Sequence, residues 1–215
     1  MEMDLSTAAA NFARATRHCD NLIEIHRNHS GPRQGRRNKE TALNRAVVVL
    51  TVAAWQAAVQ DLANAAADLV NPGEASPEFR LYTLLKGRMD RDIRAFATPN
   101  AEKTRELLKV AGFDPRPHWE WTRPGRNGSV TPHRAEQSVN AWIKVRHAIA
   151  HGHAMLPEEE VLQAVRMGEP HRGDPSLRLY DAEQCLEFFR RMARVTAHGL
   201  AEHLHLPPHD WDRWS

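Results

Sequence analysis

The sequence predicts an all-α protein. Three observations carry that expectation. Apolar residues recur at spacings of three and four through most of the chain, the pattern of helices with a buried face. Start and stop signals punctuate these segments: Ser76-Pro77, Thr98-Pro99 and Thr131-Pro132 at starts, Gly112 and Gly152 at ends. No convincing strand pair, internal repeat or low-complexity tract is present. With 215 residues, 41% hydrophobic and 26% charged, the chain can bury a real core as one soluble domain.

A first helix is expected over 4–29, carried by Leu5, Ala8, Phe12, Cys19, Leu22 and Ile23, and broken at Gly31, Pro32 and Gly35. Residues 39–70 are the most apolar. Val47, Val48, Leu50, Val52, Trp55, Ala58, Val59 and Leu62 wrap nearly all round the cylinder, which puts this helix at the centre of a bundle or in a large interface. Pro72 and Gly73 end it. A helix over 77–97 follows, then another to about Ala111. Residues 113–130, rich in Pro and Gly, are expected to be an ordered loop, because Trp119 and Trp121 are costly to leave in water. Packing is the expected role for both, ahead of stacking on bases. The next helix starts at Thr131-Pro132, packs on one side through Val139, Trp142, Ile143 and Ile149, and meets a left-handed cap at Gly152. A short helix over 156–167, an extended piece at Leu177, Leu179 and Tyr180, and a last helix from an Asp181 cap to about Leu204 complete the chain. Residues 1–215 read as a single domain, with 72–131 as an insertion or elaboration and 205–215 as a tail.

A formal net charge of +2 does not by itself identify a partner. Most of the 29 basic residues are arginine, and Arg27, Arg33, Arg36, Arg37, Lys39 and Arg45 crowd one early stretch. Cys19 and Cys185 make neither a disulfide framework nor a zinc knuckle and are expected as reduced core thiols. The first residues lack a basic start followed by an apolar run, and no apolar run approaches the ~20 residues of a membrane span, so a cytoplasmic protein without membrane contact is expected.

The chemistry is concentrated in Lys144-Val145-Arg146-His147-Ala148-Ile149-Ala150-His151-Gly152. Arginine is always charged and forks onto phosphate oxygens. Histidine, with an ordinary pKa of about 6.5, exchanges protons near neutral pH. Such a pair holds a phosphate and moves a proton, the minimum for cutting RNA without a metal. Residues five apart on a helix are rotated by roughly 140°, so Arg146 and His151 do not share a face of an ideal helix. Either the helix ends near His151 and turns the imidazole inward, or two copies meet across a two-fold axis.

The string Val145–Gly152 resembles the R-x4-6-H signature of the HEPN superfamily, with a polar residue after the arginine, and is nearest the RiboL-PSP-HEPN type. Asn44–Leu50 and Ala54–Leu62 resemble that family's apolar helix, although Gln56 stands where an acid is more usual. The resemblance implies an up-and-down helical bundle that dimerises with the motif of both subunits at the interface. It implies a metal-independent endoribonuclease, a toxin or anti-phage effector, with an antitoxin or defence-system protein as a possible partner. Arg146 and His151 are then the catalytic pair and His147 a helper, with Arg45, Gln56 and Asp61 as weaker candidates for lining the same cleft.

Two other readings compete. Taken singly, an arginine or histidine near a helix C-terminus is common, since positive charge is favoured there, and the bundle could be a non-catalytic module binding RNA or protein. His147 and His151 have a zinc-compatible spacing, but Ala148-Ile149-Ala150 supplies no metalloprotease glutamate. No metal or cofactor is expected.

Overall fold

The computed structural model describes residues 3–28, 36–122, 129–153, 155–162 and 177–206. Over these the protein is all-α. The helices are α1 (Leu5–Asn28), α2 (Arg36–Leu69), α3 (Phe79–Ala95), α4 (Ala101–Val110), α5 (Pro132–Ala150) and α6 (Leu179–His203). A 3₁₀ turn, Arg116–His118, leads into a two-stranded ladder of β1 (Trp121–Thr122) and β2 (Ser129–Val130). This ladder corrects the expectation of no strand pair. It is antiparallel, with Trp121 opposite Val130 and Thr122 opposite Ser129.

α2 is the axis of the bundle. Its buried residues face α1, α6 and α5 in turn, and Val48, Val52, Trp55, Val59 and Leu62 are almost wholly enclosed. α1 runs antiparallel to it, tied by Met3 N–H to Asp68 at one end and by the Cys19–Thr51 contact near the other. α6 runs parallel to α2: Asn44 donates to the Leu177 carbonyl, and eleven residues further on Trp55 packs against Phe189 at 5.7 Å between ring centroids. Between Lys39 and Leu69, α2 has the length and apolarity of a membrane span, which corrects the reading that no such run exists. More than half of its most apolar 18-residue window is buried by the protein itself.

Residues 72–131 share this core. Met89, Ile93, Phe96, Leu107, Leu108, Phe113, Trp119 and Val130 belong to the same buried cluster as Trp55 and Trp142. Trp119 is fully enclosed and its indole N–H bonds Thr196 Oγ1 at 2.9 Å, so it packs, as expected, and cannot stack on a base. Trp121 packs on Phe188. Both cysteines are buried and free, and burial pushes each thiol above its ordinary pKa, which leaves them unreactive.

Several boundaries move. α4 is capped by Asn100, whose side chain accepts from Lys103 N–H at 2.8 Å, not by Thr98. Ser76 closes a turn with Glu78, and α3 starts only at Phe79. α6 begins at Leu179, so Leu179 and Tyr180 are helical rather than extended, and Asp181 sits buried in the first turn instead of capping it. Over 155–162 the expected helix is a non-helical strap, and its remainder lies outside the described residues. Arg33, His209, Trp211 and Trp214 also lie outside them.

Two predictions arise from the packing. Gly199 on α6 faces His118, and a Cβ there would lie 2.6 Å from His118 Cδ2 and 2.8 Å from its Cβ. Gly199→Ala is therefore expected to lose about 1–3 kcal/mol by overpacking, read by urea denaturation, with recovery in the Gly199→Ala/His118→Ala double variant. Asp114 accepts from Arg105 and Lys109, and the Arg105 guanidinium in particular holds its carboxyl well below the usual carboxylate range. A depressed folded pKa contributes stability that is present above the unfolded value, about 3.9, and is lost as pH falls toward the folded one. Wild type should accordingly lose more stability than Asp114→Asn when urea midpoints are compared between about pH 5 and about pH 3.

Candidate functional site

Thr131 starts α5 as expected: its side chain accepts from Arg134 N–H and Pro132 occupies the first turn. The helix ends in a Schellman cap. His153 N–H bonds the Ala148 carbonyl at 3.0 Å, Gly152 N–H bonds Ile149 at 3.1 Å, and Gly152 has φ +66°. His151 is the C-cap residue, and its N–H bonds the His147 carbonyl. Sequence reasoning placed this cap correctly because only a residue tolerant of left-handed φ fits there.

The cap does not turn His151 inward. His147, His151 and His153 are all exposed, with His147 and His151 ring centroids 4.8 Å apart and His151 and His153 6.1 Å apart. Among the described residues neither the His147 nor the His151 ring has a hydrogen-bond partner. Lys144 completes the stripe at spacings of three and four, a residue that periodicity from His147 could have flagged. It is neutralised by Glu159 at 2.9 Å. The strap carrying Glu159 folds back along α5, held also by Arg134–Glu160 at 2.7 Å and by buried Leu156 and Leu162.

Arg146 lies round the helix from this stripe and is half-buried. Its Nε is enclosed with no hydrogen-bond partner, and no acid pairs with its guanidinium among the described residues. One protomer thus brings His147 and His151 together and leaves Arg146 to one side.

Hydrogen bonds orient α5 against α2. Trp55 donates to the Pro99 carbonyl at 3.1 Å, and two residues later Ala101 N–H bonds Asn140 at 3.0 Å, so the middle of α5 lies near the middle of α2. One turn earlier, Glu136 pairs with Arg116, close to Trp119 and its partner Thr196, two turns beyond Phe189 on α6. α5 therefore runs back along α2, and its last turn lies toward the end that carries Arg45. Arg45 is half-buried with an enclosed, partnerless Nε, like Arg146. Gln56 and Asp61 point to other elements. Gln56 donates to the Phe96 carbonyl at 2.8 Å, fixing the exit of α3. Asp61 accepts from Asn11 on α1 at 2.9 Å, and burial raises its pKa, an effect that bond partly offsets.

The described groove lined by Asp20, Glu24, Arg27, Glu183, Glu187 and Arg190 lies between α1 and α6 and includes no residue of the motif. Arg27 and Arg190 are already paired there with Glu183 and Asp20. No group of three metal-ligating side chains converges among the described residues.

Fold and site together define a helical bundle that exposes a histidine pair at a capped helix end, on the helix that carries an arginine with no acid partner among the described residues. No family model, curated protein or solved structure matches the chain.

Among the described residues nothing lies within 4 Å of a Cβ built at Gly152, so Gly152→Ala is expected to cost left-handed backbone strain, about 1–2 kcal/mol. The expected outcome is a lower thermal midpoint and faster amide exchange at His151 and His153, with exchange in α2 unchanged.

Proposed function

We propose that this chain is a metal-independent endoribonuclease acting as a homodimer, a cytoplasmic toxin or anti-phage effector. The observation that supports this best is the exposed His147–His151 pair, 4.8 Å between ring centroids, on the helix that carries Arg146 with its partnerless Nε. The Arg146 guanidinium pairs with no acid among the described residues, which leaves the terminal nitrogens to bind phosphate. Exposed imidazoles with free lone pairs can take a proton from a hydroxyl.

Across a two-fold axis, the two motifs share one scissile linkage. One His151 removes the proton of the ribose 2′-hydroxyl, whose oxygen attacks phosphorus. The bond from phosphorus to the 5′-oxygen breaks, and the partner subunit's His151, or a protonated His147, gives that oxygen its proton. Arg146, with Arg45 as a weaker candidate for lining the same cleft, holds the non-bridging oxygens as negative charge develops. The products are a 2′,3′-cyclic phosphate and a 5′-hydroxyl. DNA lacks the 2′-hydroxyl and is not cut.

The test is incubation of cellular RNA in chelator with wild type and His151→Ala, followed by analysis of product ends. Wild type should leave cyclic phosphates and sediment as a dimer. His151→Ala should cleave about 10²–10⁴-fold more slowly while binding RNA equally. Cleavage by neither form would leave an RNA- or protein-binding module, and equal cleavage by both would remove the histidine from the chemistry.

A further inference from the structure

We infer that His147 and His151 form a two-histidine site for a borderline divalent cation of the zinc or nickel class, and that its occupancy switches the proposed nuclease off. The inhibitory consequence rests on the nuclease reading; the binding does not.

The geometry suits two-point capture. The two imidazoles stand one helical turn apart on the solvent face, tilted by 43° and 4.8 Å between centroids. Ring nitrogens bind zinc at about 2.0–2.1 Å, so both donors must lie within reach of one point between the rings. A centroid separation of 4.8 Å puts the two rings close enough for side-chain rotation to aim a nitrogen of each at one point. Neither ring has a hydrogen bond to break, among the described residues.

The electrostatics agree. The site lies at the C-terminal end of α5, where the aligned peptide dipoles place partial negative charge and favour cations. The nearest cation on the same stripe, Lys144, is held by Glu159 and adds little repulsion. His153 is also exposed, but its ring is 6.1 Å from that of His151 and follows the cap. With no third ligand converging among the described residues, water fills the remaining positions, and binding is reversible rather than structural.

A histidine lone pair shared with a metal cannot accept the 2′-hydroxyl proton. Zinc is therefore an inhibitor here, and activity in chelator should exceed activity in added zinc. This is the opposite of a metallonuclease.

The experiment titrates zinc chloride, and separately nickel chloride, into chelator-treated full-length protein by calorimetry. The same preparations are assayed for RNA cleavage. Wild type should bind one ion per chain, and His147→Ala and His151→Ala should each weaken binding at least tenfold. His153→Ala should bind within about twofold of wild type. Circular dichroism of each variant checks that α5 remains folded. Binding unchanged in the His147→Ala/His151→Ala double variant would overturn the site, as would the absence of any saturable binding by wild type. If the ion binds as described and metal-free protein cleaves no RNA, the site stands and the nuclease reading alone falls. If metal-free protein cleaves RNA and saturating zinc leaves the rate unchanged, the switch is overturned.

Discussion

The structure depends on burying most of one long helix that is apolar nearly all round. α1, α3, α4, α5 and α6 all pack against α2, while Leu50, Ala53 and Ala57 on it stay exposed. Trp55 at its middle is fully buried, and its indole N–H needs an internal acceptor. The Pro99 carbonyl supplies one. That bond fixes the chain one residue before the Asn100 cap of α4, whose first residue then bonds Asn140 on α5. The position of α5, and with it the histidine pair at its end, is thus referred back through three hydrogen-bonded contacts to one buried indole.

Periodicity and cap chemistry explain what was legible in the sequence. The all-α class, the central place of α2, the Thr131-Pro132 start and the Gly152 cap follow from spacing and from backbone rules that few residues satisfy. Caps failed where two candidates stood close together. Asn100 competes with Thr98, and its side chain reaches the third amide of the helix. Ser76 bonds Glu78 and spends itself on a turn. Asp181 was read as a cap because acids favour helix starts, but the first turn accepts an acid as readily. A strand pair of two residues each is too short for alternation to reveal. The membrane-like stretch of α2 shows a further limit, since composition alone does not distinguish a span from the axis of a bundle.

The candidate site was legible as residue types and not as an arrangement. The roughly 140° between positions five apart on a helix is borne out: Arg146 is half-buried on one side and the histidines are exposed on another. Gln56 and Asp61 looked equivalent to Arg45 because all three sit on the same long helix. They diverge because Gln56 meets the exit of α3 and Asp61 meets α1, neighbours that no local pattern announces.

A phosphate at this end of α5 meets an unfavourable field. Helix N-termini attract anions, whereas a C-terminus presents partial negative charge. If RNA binds here, the helix does not help to hold it, and the arginines must supply the whole attraction. That requirement gives physical meaning to the absence of an acid beside Arg146 and Arg45 among the described residues. A paired arginine would have its charge compensated already. It also argues for two copies, because a dimer places two sets of such arginines around one phosphate while excluding the water that screens them. The groove between α1 and α6 offers the reverse, with four acids and with both of its arginines paired, so it would repel a polyanion. The reading therefore stands or falls on charge left uncompensated at a helix end that would otherwise reject the substrate.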